Sequence, residues 1–406
     1  MRRSSIFDQA EDAAGRLLWA YTFDLPTRIL YGIGISETVG DEAKRLNAKR
    51  ALVVTDKGVV RVGIVDQVVA NLKQAGIAVD VYDEVIANPV DATIIGGLKM
   101  LRETKPDLIV GVGGGSPIDS AKLIAIMETN EGAVSDYFGY GHVKAKRKCP
   151  LIAIPTTAGT GTEVTMWAVV TDTQKRQKQG VGSVLCMADV ALVDPLLTVT
   201  MPAKPTAEVG LDALSHALEA YVSTTAWPVS DALAEYAIKL AADNLRIVVA
   251  NGKDIKARDA MMMASMLGGM AFPSGGVGMV HGMGHGLSAF YNLSHGYTMG
   301  AMMPYVEELN YMANPSKFAK LARLLGESVD GLSDLRAAER VPVALAALFK
   351  DVGMPNLVDA GARCEDIPAL TELAWEEVGN RGTNPHPMTK ADIALVYEWA
   401  FARTGR

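Results

Sequence analysis

Cysteine is scarce and scattered. Cys149, Cys186 and Cys364 are the only three in 406 residues. No two of them form a C-x-x-C pair, so neither a zinc ribbon nor a disulfide frame is written into the chain. That usage suits a reducing compartment, and the cytoplasm is the expected location. An excess of positive charge is also missing. Lys and Arg number 39 against 46 Asp and Glu, a formal net charge of −7, which argues against a nucleic-acid surface or a basic stripe for anionic membrane. No apolar run approaches the roughly 20 residues that cross a bilayer. Histidine is rare, at 6 residues, which makes its placement informative. What remains is ordinary globular composition, with 49% hydrophobic and 21% charged residues. The length exceeds what one core usually organises, so two domains are expected.

The chain starts with Met1-Arg2-Arg3, but Asp8, Glu11 and Asp12 follow and no apolar stretch succeeds them, so this start does not read as a secretory signal. Ile6, Phe7, Ala10, Ala14, Leu17 and Leu18 share one helical face. Residues 1–20 are expected to form a helical extension that packs on the body or on a neighbouring subunit. The alternative is a peptide that docks the protein onto a partner or into a protein compartment.

From residue 21 to about 200, strand and helix patterns alternate. Ala51–Thr55, Val79–Val81, Leu108–Val112, Leu151–Ile154 and Val190–Val193 are short apolar runs. Helical stretches separate the first three, through Ile64–Leu72 and Ala92–Glu103. This order predicts a parallel sheet with helices on its faces, a Rossmann-like α/β domain over 21–200. Beyond Pro202 and Pro205 the β-branched runs give way to stretches rich in Ala, Leu, Met and Glu, such as Asp231–Ala250 and Val341–Phe349. Residues 201–406 are expected to be all-helical.

Two loops at predicted strand ends carry ligand chemistry. Gly113-Gly114-Gly115-Ser116-Pro117 runs from a strand into a helix. Glycines there let backbone amides approach a phosphate, and the helix N-terminus adds partial positive charge. It is neither the G-x-G-x-x-G fingerprint nor a P-loop. The other segment, Pro155-Thr156-Thr157-Ala158-Gly159-Thr160-Gly161-Thr162, offers hydroxyls to phosphate and ribose oxygens. Asp56, at the end of the first run, suits an adenosine ribose and opposes a 2′-phosphate. An aspartate there is also a good helix N-cap.

Asp212 and His216 are four residues apart, as are His281 and His285, and His295 follows. On helices each pair shares a face. A carboxylate plus imidazoles is a good ligand set for a divalent first-row metal. The spacing leaves open which four of the five bind. His142 and His386 lie in loop-like contexts and read as ordinary residues.

With these motifs together, the sequence resembles the iron-containing (group III) alcohol dehydrogenase family from about Leu25 to near the C-terminus. The resemblance implies a dehydroquinate synthase-like architecture, with a nucleotide-binding α/β domain, a helical domain and an active site between them. It implies Asp212, His216, His281 and His295 as metal ligands and His285 as a further active-site histidine beside the metal. It implies cofactor contacts by Gly113, Gly114, Gly115, Ser116, Asp119, Thr156, Thr157 and Thr160. Lys178 matches a lysine near the cofactor ribose, and Asp56 matches the position associated with preference for NAD(H) over NADP(H). Fe(II) is the expected metal, with Zn(II) and Mn(II) as alternatives. Trp167, Phe272 and Arg381 are candidate substrate-pocket residues. Arg381 would offer an oxyanion a planar fork of donors, so that a short anionic aldehyde becomes a candidate substrate.

The expected activity is therefore metal-dependent, NAD(H)-linked interconversion of a short alcohol and its aldehyde, by a homodimer or larger oligomer. One alternative is a lyase of the dehydroquinate synthase type, distinguished by the absence of net NADH accumulation. The other is a non-enzymatic structural or docking protein on the same scaffold, which a degenerate ligand set would have favoured.

Overall fold

The computed structural model describes residues 21–173, 177–377 and 382–402. The expected N-terminal helix (residues 1–20) and Arg381 lie outside the described residues. The strands are β1 (Arg28–Tyr31), β2 (Arg50–Asp56), β3 (Ala78–Val85), β4 (Leu108–Gly113), β5 (Gly139–Tyr140), β6 (Leu151–Pro155), β7 (Trp167–Asp172), β8 (Gln177–Gly182) and β9 (Val190–Val193). Interleaved with them are α1 (Val39–Arg45), α2 (Lys57–Arg61), α3 (Ile64–Gln74), α4 (Asp91–Thr104) and α5 (Gly115–Met127). After β9 the described elements are helical: α6 (Ala203–Val222), α7 (Pro228–Ala250), α8 (Ile255–Gly275), α9 (Met279–Tyr291), α10 (His295–Asn310), α11 (Pro315–Leu324), α12 (Asp334–Ala338), α13 (Arg340–Asp351), α14 (Ile367–Glu376) and α15 (Lys390–Ala402), with short 3-10 turns between some of them.

Six strands form one sheet in the order β1-β9-β6-β4-β2-β3, and every pairing is parallel. Its inner strands are apolar on both faces because helices cover both. Leu52, Val54 and Ile109 pack one way, with Ile118 and Leu123 of α5. Ala51, Val53, Val110 and Val112 pack the other way, with Val65, Val68 and Leu72 of α3. Each larger side chain buried in this way contributes about 1.5–3 kcal/mol.

Four strands escape the periodicity: β1, and the second sheet in the order β5-β8-β7. β1 is a four-residue edge strand paired with β9. β7 and β8 form an antiparallel hairpin, with Trp167 opposite Gly182 and Thr171 opposite Lys178. Ala168, Val170 and Val181 of the hairpin are fully buried, so Trp167, Val169 and Thr171 share the opposite face with Lys178, Gly180 and Gly182.

The helices after β9 enclose a separate core, running from Ala207 to Phe401. It also takes in Ala158 and Val164 beside the threonine loop, and Ala191 and Val193 of β9. The carboxyl edge of the sheet is thereby packed directly against the helices.

Candidate active site

The strands β2, β4 and β6 are neighbours, and their carboxyl ends at Asp56, Gly113 and Pro155 lie along one edge. The chain leaves β2 toward β3 on one side and leaves β4 toward β6 on the other. A crevice outside the strand ends at such a reversal is where open parallel sheets bind ligands. A cleft of about 640 Å³ lies there, lined among others by Asp56, Gly114, Gly115, Ser116, Thr156, Thr157 and Thr160, with Val209 contributed by α6.

Helix α5 begins at Gly115 and has no acidic residue in its first turn, so its first amides and positive dipole end are available to an anion. Close approach explains the glycines. A Cβ on Gly115 would lie 2.9 Å from Thr160 Cγ2, and one on Gly114 would lie 3.1 Å from Thr157 Oγ1. The two loops thus interlock only because these positions lack side chains. Gly113 ends β4, and its carbonyl accepts from the Thr156 amide at 2.9 Å, tying one loop to the other. The residues fit a dinucleotide in an extended cleft.

Asp56 plays the capping role anticipated for it, its Oδ1 accepting from the amides of Gly58 at 2.7 Å and Val59 at 3.0 Å. It shares its end of the cleft with Asp83 and Glu84 from the end of β3, two carboxylates that the sequence did not flag. Asp119 is placed differently from the other motif residues. It is buried, accepting from the Thr162 hydroxyl and from the Val169 amide at 3.0 Å. Lys122 beside it donates to Thr162 Oγ1 at 2.9 Å and to the carbonyls of Thr165 at 3.0 Å and Trp167 at 2.7 Å. This pair fastens α5 beneath the threonine loop and the β7–β8 hairpin.

Asp212 and His216 lie on α6, and His281 and His285 on α9, while His295 opens α10. Gly296 permits the approach of α10 to α6, because a Cβ there would fall 2.0 Å from the Glu208 carbonyl oxygen. His295 Nε2 consequently comes to 3.2 Å from Asp212 Oδ1. One ligand atom from each of Asp212, His216, His281 and His295 lies within 4.8 Å of the others. Asp212 Oδ1, His216 Nδ1, His281 Nε2 and His295 Nδ1 are buried atoms without a hydrogen-bond partner. Orphaned polar atoms of this kind are costly unless something else satisfies them. A divalent cation fits the set.

Burial holds the His216 imidazole down to about 4 and the His281 imidazole to about 3, with neighbouring imidazoles pushing the same way. His295 is likewise pushed well below its usual range, by burial first and by the Lys178 charge next. All three are neutral near pH 7, the form that ligates metal. Phe272 of α8 stacks on His216 with ring centroids 4.7 Å apart.

His285 stands beside this group, its ring 5.8 Å from His281 and 5.2 Å from His295. Its Nδ1 is 3.4 Å from Glu377 Oε1. Lys178 on β8 faces the same region, with burial lowering its pKa to about 8 against the opposing pull of Asp212 and Asp119. Trp167 lies across Gly180 and Gly182, close enough that a Cβ on Gly182 would come 2.6 Å from its ring, on the hairpin face that carries Lys178. Glu219 and Glu377 were not anticipated. Glu219 had a signal, being three residues after His216 and seven after Asp212 on one helical face. Glu377 had none, since its partner His285 is distant in sequence.

Two family models match the chain: iron-containing alcohol dehydrogenase over residues 26–195, and the C-terminal part of the Fe-containing alcohol dehydrogenase family over 206–401. A 1,3-propanediol dehydrogenase from Citrobacter freundii is 41% identical over 384 residues, covering 94% of this chain and 99% of the relative. An NAD-dependent methanol dehydrogenase from Bacillus methanolicus is 40% identical over 375 residues, covering 92% and 98%. The crystal structure of a 1,3-propanediol oxidoreductase superposes with a TM-score of 0.92 at 41% identity, covering 94% of this chain and 100% of the other.

Proposed function

This chain belongs to the iron-containing alcohol dehydrogenase family, and from that membership we propose how its residues divide the work. The activity is metal-dependent, NAD(H)-linked interconversion of an alcohol and its aldehyde, with iron as the metal. The observation that carries the residue assignment is the convergence of one ligand atom from each of Asp212, His216, His281 and His295 to within 4.8 Å of one another, with Asp212 Oδ1, His216 Nδ1 and His281 Nε2 buried and lacking a hydrogen-bond partner.

Asp212, His216, His281 and His295 hold the metal. The amides that open α5, with Thr156, Thr157 and Thr160, bind the cofactor phosphates and adjoining oxygens, while Asp56 accepts from the adenosine ribose. Lys178 holds the ribose beside the nicotinamide. When bound, the metal supplies Lewis acidity at the substrate oxygen and the nicotinamide carries the hydride. The chain's own contribution is alignment of the two reactants between sheet and helices, an effect worth roughly 7–11 kcal/mol in favourable intramolecular models. Phe272 covers one side of the metal group and keeps water from it. His285, half-buried and paired with Glu377, moves the proton between the reacting oxygen and solvent.

Trp167 and Phe272 narrow the pocket toward short primary alcohols, and the two relatives carry names of short alcohols, 1,3-propanediol and methanol. Residues 21–200 and 201–406 form the two domains, and the protein works as a cytoplasmic homodimer or larger oligomer. Among the described residues no helix is long and apolar enough to cross a membrane, and Cys149 and Cys186 are buried free thiols, which favours a reducing compartment. Elution volume with light scattering tests the oligomer. An NADH-oxidation screen over short aldehydes, neutral and anionic, tests the activity and its range.

Lys178 gives a pH signature. It is charged below about 8 and loses its proton above, so KM for NADH is expected to rise as pH passes that value. Replacing it, Lys178→Met, should raise KM for NADH at pH 7 roughly tenfold, as befits loss of a charged hydrogen bond, and should flatten the pH profile. A variant whose KM and profile match the wild type removes Lys178 from the cofactor site.

A further inference from the structure

The four candidate ligands do not orient themselves. Glu219, one helical turn beyond His216 on α6, is 2% exposed, and both of its carboxylate oxygens are engaged. Oε1 accepts from the Val280 amide at 2.7 Å and the His281 amide at 3.4 Å, at the start of α9. Oε2 is hydrogen-bonded to His281 Nδ1. The other ring nitrogen, Nε2, is buried and unpartnered, and His281 contributes one atom to the converging group. A neutral imidazole has one proton to place, and the partner of one nitrogen decides the state of the other. An ionised carboxylate accepts and does not donate.

We propose that Glu219 is the positioning residue of the metal centre: by accepting from His281 Nδ1–H it selects the tautomer that leaves Nε2 bare for the metal, and by capping α9 it fixes the height at which that nitrogen enters the site. The inference rests on the assignment of His281 as a ligand. Glu219 also explains why a carboxylate tolerates this depth. Burial pushes its pKa up to about 7, and the three donors that converge on it pull the other way, two of them amides at a helix start, where negative charge is favoured. Asn384 Oδ1 accepts the next amide, from Met279, at 3.1 Å, so the start of α9 is held by side chains from two separate parts of the chain.

The chemistry of glutamine makes the test selective. Glu219→Gln preserves shape but has one acceptor where two are needed. If its oxygen keeps the backbone amides of α9, its NH2 faces His281 Nδ1, which must then shed its proton. That proton moves to Nε2 and blocks the ligand atom. Two amide bonds outweigh one, so this arrangement is expected.

The experiment has two readouts that do not depend on turnover. In competition with a chromogenic chelator, Glu219→Gln is expected to lose roughly tenfold to a hundredfold in affinity for Fe(II), the range seen when a carboxylate behind a ligating histidine is removed. The melting temperature of its metal-free form should stay near that of the wild type. In metal-free protein labelled at histidine, the ring carbon and nitrogen shifts of His281 should report Nδ1–H in the wild type and Nε2–H in Glu219→Gln. Unchanged affinity overturns the proposal, and so does a wild-type His281 protonated at Nε2. The wild-type tautomer decides the matter even if the variant fails to fold. His281→Ala measured alongside separates the two claims: if it too keeps full affinity, the ligand assignment fails, and if it alone loses metal, only the role of Glu219 fails.

Discussion

His281→Ala should purify with well under one equivalent of metal per chain and turn over about 10³-fold or more slowly than the wild type. The reasoning begins at the fold. His281 enters the site from α9 as one of four groups whose ligand atoms lie within 4.8 Å. Alanine leaves three ligands and a cavity that water can enter. Lewis-acid stabilisation is worth several kcal/mol to a transition state, and each ~1.4 kcal/mol is a factor of ten in rate. Loss of ~4 kcal/mol therefore accounts for the thousandfold. Secondary structure should survive, because the helix retains its cap from Glu219 and its contacts with α10. Metal analysis and kcat on one preparation check the prediction, and full occupancy with normal turnover would remove His281 from the ligand set.

Asp56→Gly should shift the kcat/KM ratio toward NADPH by about tenfold or more, mainly through KM. A phosphate dianion about 5 Å from a carboxylate is opposed by roughly 1–2 kcal/mol even at the dielectric of water, and by more where solvent is thinned. The substitution costs little stability, since glycine is nearly as good an N-cap as aspartate, within a few tenths of a kcal/mol. Preference should weaken rather than invert, because Asp83 and Glu84 line the same end of the cleft and still repel the extra phosphate. Parallel kinetics with NADH and NADPH measure the change. A wild type that already prefers NADPH by a wide margin would show that Asp56 does not read the ribose.

The sheet was readable because its strands are buried on both faces. Leu108–Gly113 has no exposed residue at any position, and such a run leaves little choice but an inner parallel strand. The β7–β8 hairpin was not readable for the opposite reason. Gln177-Lys178-Gln179-Gly180-Val181-Gly182 has polar side chains and two glycines where a strand pattern needs apolar ones, and the apolar surface is supplied by Trp167 of the partner strand. Tertiary context forms that element. Within the site, i,i+4 spacing identified two helical faces but could not decide among five ligands. In three dimensions α10 abuts α6 at Gly296 and sets His295 against Asp212, and it is the side chains of Asp212, His216, His281 and His295 that converge to within 4.8 Å. Asp119 illustrates a different ambiguity. A carboxylate in a glycine-rich loop-to-helix segment serves a ligand and a loop anchor equally well in sequence, and the structure gives it Thr162 and Val169 as partners. The Glu377–His285 pairing joins residues distant in the chain and has no local trace at all.

Everything proposed for catalysis depends on one metal held by Asp212, His216, His281 and His295. The most direct measurement is a reconstitution titration. The protein is stripped with a chelator under anaerobic conditions and Fe(II) is added in steps. NADH oxidation with a short aldehyde is followed beside bound iron at every step. Activity should start near zero, rise in proportion to bound iron and level off at one equivalent per chain. Full activity in the stripped protein, or a plateau unrelated to occupancy, would mean that the Asp212, His216, His281 and His295 group serves some other purpose.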